Sequence, residues 1–400
     1  MQVDVAINYY GKPYQTLLAI ESLLEHSGQH IDRIYVIREP KQPRVEQDLV
    51  RLLARYGDRV TVFQPDHYLG WSPSDIDCIR DDESYRLSIR YQYALEATDK
   101  RYLFVTHNDV LYTGDLVAEL LSRMQEARYA GAGLMGVCWH CPARTAGRCD
   151  HSRHEDLDLS FLQAVWLSLR VKSVRTHPRL IDPRYPMPLP ECKLIEYACL
   201  VDVSAYRRET LPEGSSPLFG SCDGGIDTAC GWTHSMVNKQ YRFANVNIWD
   251  YCEHPTDGHG DLFDDRRFES KEATAWAALG DRGIDLSDQG SGAIPTILRT
   301  ADVAGQLAQR RDAAGATMST GSGVDPNAFW RAQTARIRLE KRLLRGELAG
   351  ARRLYWSAMR AYDNPVKRFA GLAAVLVSAR LFAKATSSLP AYSLRTPPGA

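Results

Sequence analysis

Residues 101–112, RYLFVTHNDVLY, decide the fold. Leu103 to Thr106 is a short apolar run, the pattern of a strand buried on both faces. It stops abruptly at His107-Asn108-Asp109. A carboxylate at the C-terminal end of a central strand in an open α/β sheet faces the crevice where such sheets bind ligands. An Asp there can hold a hard divalent cation, which keeps some of its waters and reaches substrate phosphates. The competing reading is a plain chain reversal, which Asn-Asp also favours.

The flanking segments alternate in type. Val3 to Ile7 reads as a first strand, followed by the turn Asn8-Tyr9-Tyr10-Gly11-Lys12-Pro13. Leu17, Ile20 and Leu24 then recur at helical spacing, and Gly28 stops that helix. Ile34–Ile37 and Val60–Phe63 are further strands, separated by a helix over 44–56 with Val45, Leu49, Leu52, Leu53 and Tyr56 on one face. Residues 64–82 read as a loop rich in Pro, Asp and Gly. One helix is expected from Glu83 to Ala97, carrying Arg86 and Arg90 one turn apart. Beyond the central strand come a helix over 114–126, a core strand over 131–137, a late core strand over 194–203 and a strand from Val246 to Trp249. Alternation of this kind argues for an α/β fold with a mixed, mainly parallel sheet and helices on both faces.

Composition sets the outer limits. The 400 residues are too many for one ordinary domain, and 44% hydrophobic content provides for a real core. The N-terminus MQVDVAINYY has neither a basic n-region nor a long apolar h-region, so no secretory signal is expected. The formal charge is zero but unevenly spread. Residues 331–400 hold 14 Lys and Arg against 3 Asp and Glu, so the rest of the chain is acidic.

With these residues in view, the chain resembles a GT-A fold glycosyltransferase of the bacterial family-2 type. The resemblance rests on Asn8 and Tyr9 after the first strand, the Ser22-Leu23-Leu24 helix, the Ile34–Ile37 strand and the run YRLSIRYQYALEATDKRYLFVTHNDV, and it covers about residues 3–260. The family's metal motif is usually Asp-x-Asp; here it reads His107-Asn108-Asp109, so only the last carboxylate is kept. The resemblance implies a Rossmann-like sheet, a nucleotide-sugar donor, a glycan or lipid-linked acceptor as in polysaccharide biosynthesis, and Mg2+ or Mn2+ held by Asp109. It makes Asn8, Tyr9, Arg90, Asn108, Asp109 and His259 candidate donor contacts. An acidic residue near 220–232, GSCDGGIDTACGW, is implied as the base of an inverting transfer. Asp227, expected to open a helix through Trp232, is preferred, with Asp223 as the alternative and a helix cap as the plain reading. A histidine after the last sheet strand is implied at the diphosphate or metal, and His254 and His259 both qualify. Two alternatives stand beside this reading. One is an inactive relative serving as a binding or assembly module. The other is a nucleotidyltransferase, which would be expected to carry a Gly-rich loop and a basic residue after the first strand, where Asn8-Tyr9-Tyr10-Gly11 shows neither.

Two features lie outside the resemblance. Cys138 and Cys141 have the spacing of a thiolate pair, with Cys149 nearby and Cys192 further on. A structural Zn2+ held by these four is one reading of an insertion over about 138–192, and free buried thiols are the other. The second feature is the C-terminal part. Residues 1–285 are expected to form the transferase domain, 286–327 a linker, and 328–400 a basic helical extension. The apolar stretch within 366–385 is too short to span a bilayer. It suits a helix lying on an anionic membrane surface, or one packed on protein. A cytoplasmic chain is expected, and the first option would make it peripheral on the inner face of the membrane. No nucleic-acid recognition motif is present.

Overall fold

The computed structural model describes residues 1–9, 11–38, 46–67, 69, 76–125, 129–136, 142–145, 147, 149, 192–222, 227–254, 265–286 and 295–316. Most of them belong to one compact unit made of residues 1–138, 150–156 and 184–323. A second unit comprises 139–149, 157–183 and 324–400; its described part is the short helix Pro142–Thr145 with Gly147 and buried Cys149.

The first unit is built on an eight-stranded sheet. Its strands are β1 (Val3–Tyr9), β2 (Ile31–Arg38), β3 (Val60–Gln64), β4 (Tyr102–His107), β6 (Tyr129–Met135), β7 (Leu194–Asp202), β8 (Arg242–Asn245) and β10 (Ile297–Arg299). A separate antiparallel pair, β5 (Leu111–Tyr112) and β9 (Cys252–Glu253), sits beside it. The sheet order is β10-β3-β2-β1-β4-β7-β6-β8. Every neighbour pair is parallel except the two that β7 makes, with β4 and β6. This is the mixed, mainly parallel sheet expected from the sequence.

Apolar residues on both sides of each central strand explain the layering. Val3, Val5 and Ile7 of β1 pack in one core with Ile20 and Leu23 of the helix Pro13–Ser27 and Leu116 and Leu120 of the helix Leu116–Arg123. Leu103 and Val105 of β4 pack on the other face with Leu95, Tyr206, Trp232 and Met236, from helices Gln92–Ala97, Val203–Glu209 and Cys230–Asn238. Helices therefore cover both faces. The chain runs β1, β2, β3 outward on one side, then returns across β1 to β4. That reversal between β1 and β4 is where such sheets leave a crevice at their C-terminal edge.

The structure departs from the sequence reading in three places. The helix expected over Glu83–Ala97 is two helices, Glu83–Leu87 and Gln92–Ala97, because Tyr91 takes a left-handed φ of 64°. The strand expected over Val246–Trp249 lies earlier, at β8. Asn245 Oδ1 accepts from Met135 N at 3.0 Å, and the chain then leaves the sheet through the 3-10 turn Ile248–Asp250. Within 286–327, expected as a linker, β10 pairs in parallel with β3 and the helix Thr300–Ala316 packs Val303 and Leu307 into the core. Inside the late core strand, Glu196 is buried on β7, an interior strand. Residues 328–400, including the 366–385 stretch, lie outside the described residues. Among those described, no helix is long and apolar enough to cross a membrane.

Candidate functional site

The ends of β1 and β4 are level, since Asn8 pairs with His107. Beyond β1, Gly11 and Lys12 both take positive φ, 108° and 69°. A left-handed lysine is costly, and such strain collects at functional sites. Pro13 then opens the helix at its first position. This turn carries the Lys12 ammonium to the end of β4, where Nζ donates to Asp109 Oδ2 at 2.8 Å. Both side chains are buried, at 0% and 2% exposure.

Asn108 fastens the two loops together. Its Nδ2 donates to Gly11 O at 2.9 Å and to Thr16 Oγ1 at 3.1 Å. Asn108 is fully buried, as are Asn8 and Tyr9, and Tyr9 belongs to the core. The expected donor contacts at these three positions are thus buried side chains.

His254 arrives by a different route. In the small ladder, Leu111 pairs with Glu253 and Tyr112 with Cys252. Tyr251 O accepts from Thr113 N at 2.8 Å and from Gly114 N at 3.1 Å. This register sets His254, one residue past β9, beside Asp109, two residues before β5. His254 Nε2 lies 3.2 Å from Asp109 Oδ1 and 3.3 Å from His107 Nδ1. Tyr197 of β7 stacks on His254, with ring centroids 4.2 Å apart and planes 12° apart, and its centroid is 4.8 Å from that of His107. Of the two histidine candidates, His254 is at this site, and His259 lies outside the described residues.

His107, Asp109 and His254 each present one donor atom, all within 4.8 Å of one another. The fit to a divalent cation rests on two observations. Asp109 Oδ1, the oxygen that faces His254 Nε2, is buried without a hydrogen bond of sound geometry. The 3.2 and 3.3 Å separations are also close to the ~3 Å between neighbouring ligands of an ion with bonds of about 2.1 Å. Lys12 occupies Oδ2, so Oδ1 is the oxygen turned toward the histidines. Burial works against charge on Asp109, but His254, Lys12 and His107 outweigh it and hold the carboxyl well below the usual carboxylate range.

A second charged cluster lies further along β7. Lys193 is fully buried, and its Nζ donates to Glu196 Oε2 at 3.0 Å, Asp227 Oδ2 at 2.7 Å and Thr228 O at 2.6 Å. Burial alone would push Lys193 down, yet Glu196 and Asp227 keep it above its ordinary value. Burial raises Glu196. The Asp227 side chain is 39% exposed. Tyr197 links the two clusters: burial lifts its phenol, and the charges of Glu196, Lys193, Asp227 and Asp109 all act on it.

Asp227 does not cap the helix it precedes. The cap residue is Ala229, with φ 65° and no side-chain bond, and the helix begins at Cys230. Asp227 Oδ1 instead accepts from Thr228 N at 2.9 Å. Asp223 lies outside the described residues. Arg90 is half-buried and packs against this same loop; a Cβ built on Gly220 would fall 2.0 Å from Arg90 O, so only glycine fits there. Of the four expected zinc ligands, Cys149 and Cys192 are buried, and Cys138 and Cys141 lie outside the described residues.

Three residues of these two clusters escaped the sequence reading: Lys12, His107 as a candidate ligand, and Lys193. The Gly11-Lys12-Pro13 run was the available signal for the first, since glycine before and proline after mark a sharp helix entry. The turn after β1 therefore does carry a basic residue, one position beyond the stretch that seemed to lack it. For Lys193 the signal was a lone lysine opening the apolar run LIEYACLVDV.

No protein-family model matches the chain, and no curated protein matches it significantly. Solved structures do. The chain is similar to a mannosyltransferase from Pyrobaculum calidifontis in complex with GDP-Man and Mn2+, at 13% identity over 96% of this chain and 87% of that one, with a TM-score of 0.38. It is similar to residues 1–349 of S. aureus TarS at 11% identity, over 64% of this chain and 61% of that one, with a TM-score of 0.34. A third structure, GalNAc-T7 with UDP, GalNAc and Mn2+, aligns at 13% identity over 34% of this chain and 23% of that one, with a TM-score of 0.27.

Proposed function

We propose that the chain is a glycosyltransferase, moving a sugar from a nucleotide-sugar donor to a hydroxyl of a glycan or lipid-linked acceptor with inversion. The observation that carries this reading is the convergence of Lys12, His107, Asp109 and His254 at the chain reversal between β1 and β4. A crevice there, lined by a cation-binding carboxylate, suits a ligand with a diphosphate. His107, Asp109 and His254 would hold a divalent cation, which would supply charge neutralisation at the departing nucleoside diphosphate. Two imidazoles with one carboxylate favour Mn2+ over Mg2+ as that ion.

The chain's own residues then divide the work. Lys12 fixes the Asp109 carboxylate by one oxygen and adds positive charge behind it. Tyr197, stacked on His254, holds that imidazole's plane. Asp227, partly open to solvent, takes the proton from the acceptor hydroxyl as its oxygen bonds to the anomeric carbon and the bond to the diphosphate breaks. This reading needs no second carboxylate in the metal motif, because His107 stands in the position the usual first acid would hold. The test is release of nucleoside diphosphate from a panel of donors in the presence of candidate acceptors. Asp227→Asn is expected to lose turnover by about 10²–10⁴-fold while keeping donor affinity. Equal turnover by Asp227→Asn and the unaltered protein would remove the base assignment.

A further inference from the structure

We propose that Lys193 is the positioning residue of the acceptor side of the site, clamping Asp227 through an ammonium whose three protons are all committed. The inference deepens the reading of Asp227 as the base and rests on it. An ammonium has three donors and no acceptor. Here the three go to Glu196 Oε2, Asp227 Oδ2 and Thr228 O, at 3.0, 2.7 and 2.6 Å. None is left for a substrate, so Lys193 acts through Asp227 and does not touch the reacting atoms.

The geometry is specific in what it leaves open. Lys193 binds one oxygen of Asp227 and the Thr228 N–H binds the other, so the carboxylate plane is set from two sides. The backbone of the same short segment is held as well, because the Thr228 carbonyl accepts from the same ammonium. Glu196 lies on β7 and Lys193 immediately precedes it, where the Lys193 carbonyl accepts from Gly136 N at 2.7 Å and Leu194 pairs with Met135 of β6; the described residues 227–229 belong to no strand. A rigid strand thus holds the loop residue through a single buried cation. Glu196 balances that cation when Asp227 takes up a proton: the lysine keeps a carboxylate partner in either state of Asp227.

Several described groups face this pair. Besides Glu196, Tyr197 and Cys199 stand on β7, Cys230 opens the following helix and bears on Lys193, and Cys222 contacts Thr228 Oγ1 at 3.4 Å with the Arg90 charge acting on it.

The experiment is ¹³C NMR at one fixed pH on the full chain carrying carboxyl-¹³C aspartate, with the Asp227 signal assigned by its loss in Asp227→Asn, read beside steady-state transfer kinetics. In Lys193→Met the Asp227 signal is expected to move and broaden as the carboxylate loses its fixed plane, and kcat is expected to fall by about 10²-fold with little change in donor KM. Lys193→Arg is expected to restore part of both. Should Lys193→Met not fold, Lys193→Met/Glu196→Gln keeps the cluster's net charge, and the same changes are expected. An Asp227 signal unchanged in Lys193→Met, or in the double variant where that is the one that folds, overturns the proposal. A displaced signal with unchanged kcat would leave Lys193 as the holder of Asp227 and reject Asp227 as the base, so the two readings fail separately.

Discussion

Replacing Lys12 by methionine tests the electrostatic core of the site. The substitution removes a fully buried ammonium from 2.8 Å beside a carboxylate that is 2% exposed. Deleting one partner of a buried pair costs about 3–5 kcal/mol, because the other charge is left uncompensated. Asp109 still has His254 at 3.2 Å, which takes up part of the load, so the lower end, about 3 kcal/mol, is expected. Lys12 also sits at φ 69°, where glycine is free of the left-handed penalty of about 1 kcal/mol. Lys12→Gly should therefore lose about 1 kcal/mol less than Lys12→Met. Urea denaturation followed by far-UV circular dichroism measures both, with an unchanged m-value marking an unchanged folded state. Mn2+ should then restore more stability to Lys12→Met than to the unaltered protein, since it meets no ammonium at Asp109. At 100 times its Kd the gain is about 2.7 kcal/mol. A Lys12→Met protein within about 0.5 kcal/mol of the unaltered one would refute the reasoning, the usual range for a surface change away from any such pair.

Three further outcomes follow from the same geometry. Gly220→Ala places a Cβ 2.0 Å from Arg90 O, a clash with backbone that should cost at least about 1–3 kcal/mol in chemical denaturation. Acid stability reports on Asp109: its folded carboxyl titrates below the unfolded one, so the stabilisation is present above about pH 4 and is lost as the pH falls further. Asp109→Asn should show a shallower fall over that window, measured as stability against pH. Trp232→Ala removes a fully buried indole packed edge-on against Phe219 at 5.2 Å and Phe243 at 5.4 Å, and a loss of about 3–5 kcal/mol in denaturation is expected.

Much of the sheet was legible because its strands are continuous apolar runs. Leu103–Thr106 and Leu194–Val201 are buried along their whole length, and β-branched residues with abrupt polar ends mark them. Short or interrupted elements were not legible. β10 has three residues and is defined by its pairing with β3, which no local pattern announces. The break at Tyr91 carries no glycine or proline, so the run from Glu83 read as one helix. Val246 and Ile248 are buried, which mimics a strand, yet Val246 makes only one last bond to the sheet, from its N–H to Gly133 O at 2.9 Å, and Ile248 already lies in the turn that leaves it.

The site was half legible for a similar reason. Asp109 stands at the end of the most visible strand, and its role follows from that place. Placing His254 at the site needs the β5–β9 ladder, a pairing of two residues with two. Lys12 and Lys193 are single charges whose partners lie 97 and 34 residues away, at Asp109 and Asp227. Linear spacing is silent about such contacts, and only the fold brings them together.

The most direct test of the central claim is calorimetric titration of the full chain with UDP-, GDP-, dTDP- and CDP-sugars, with and without Mn2+, repeated on Asp109→Ala. Binding of one donor class that requires Mn2+ and is lost in a folded Asp109→Ala protein is the predicted result. Binding of no donor to the folded protein, or binding that is indifferent to Mn2+ and to Asp109, would contradict it.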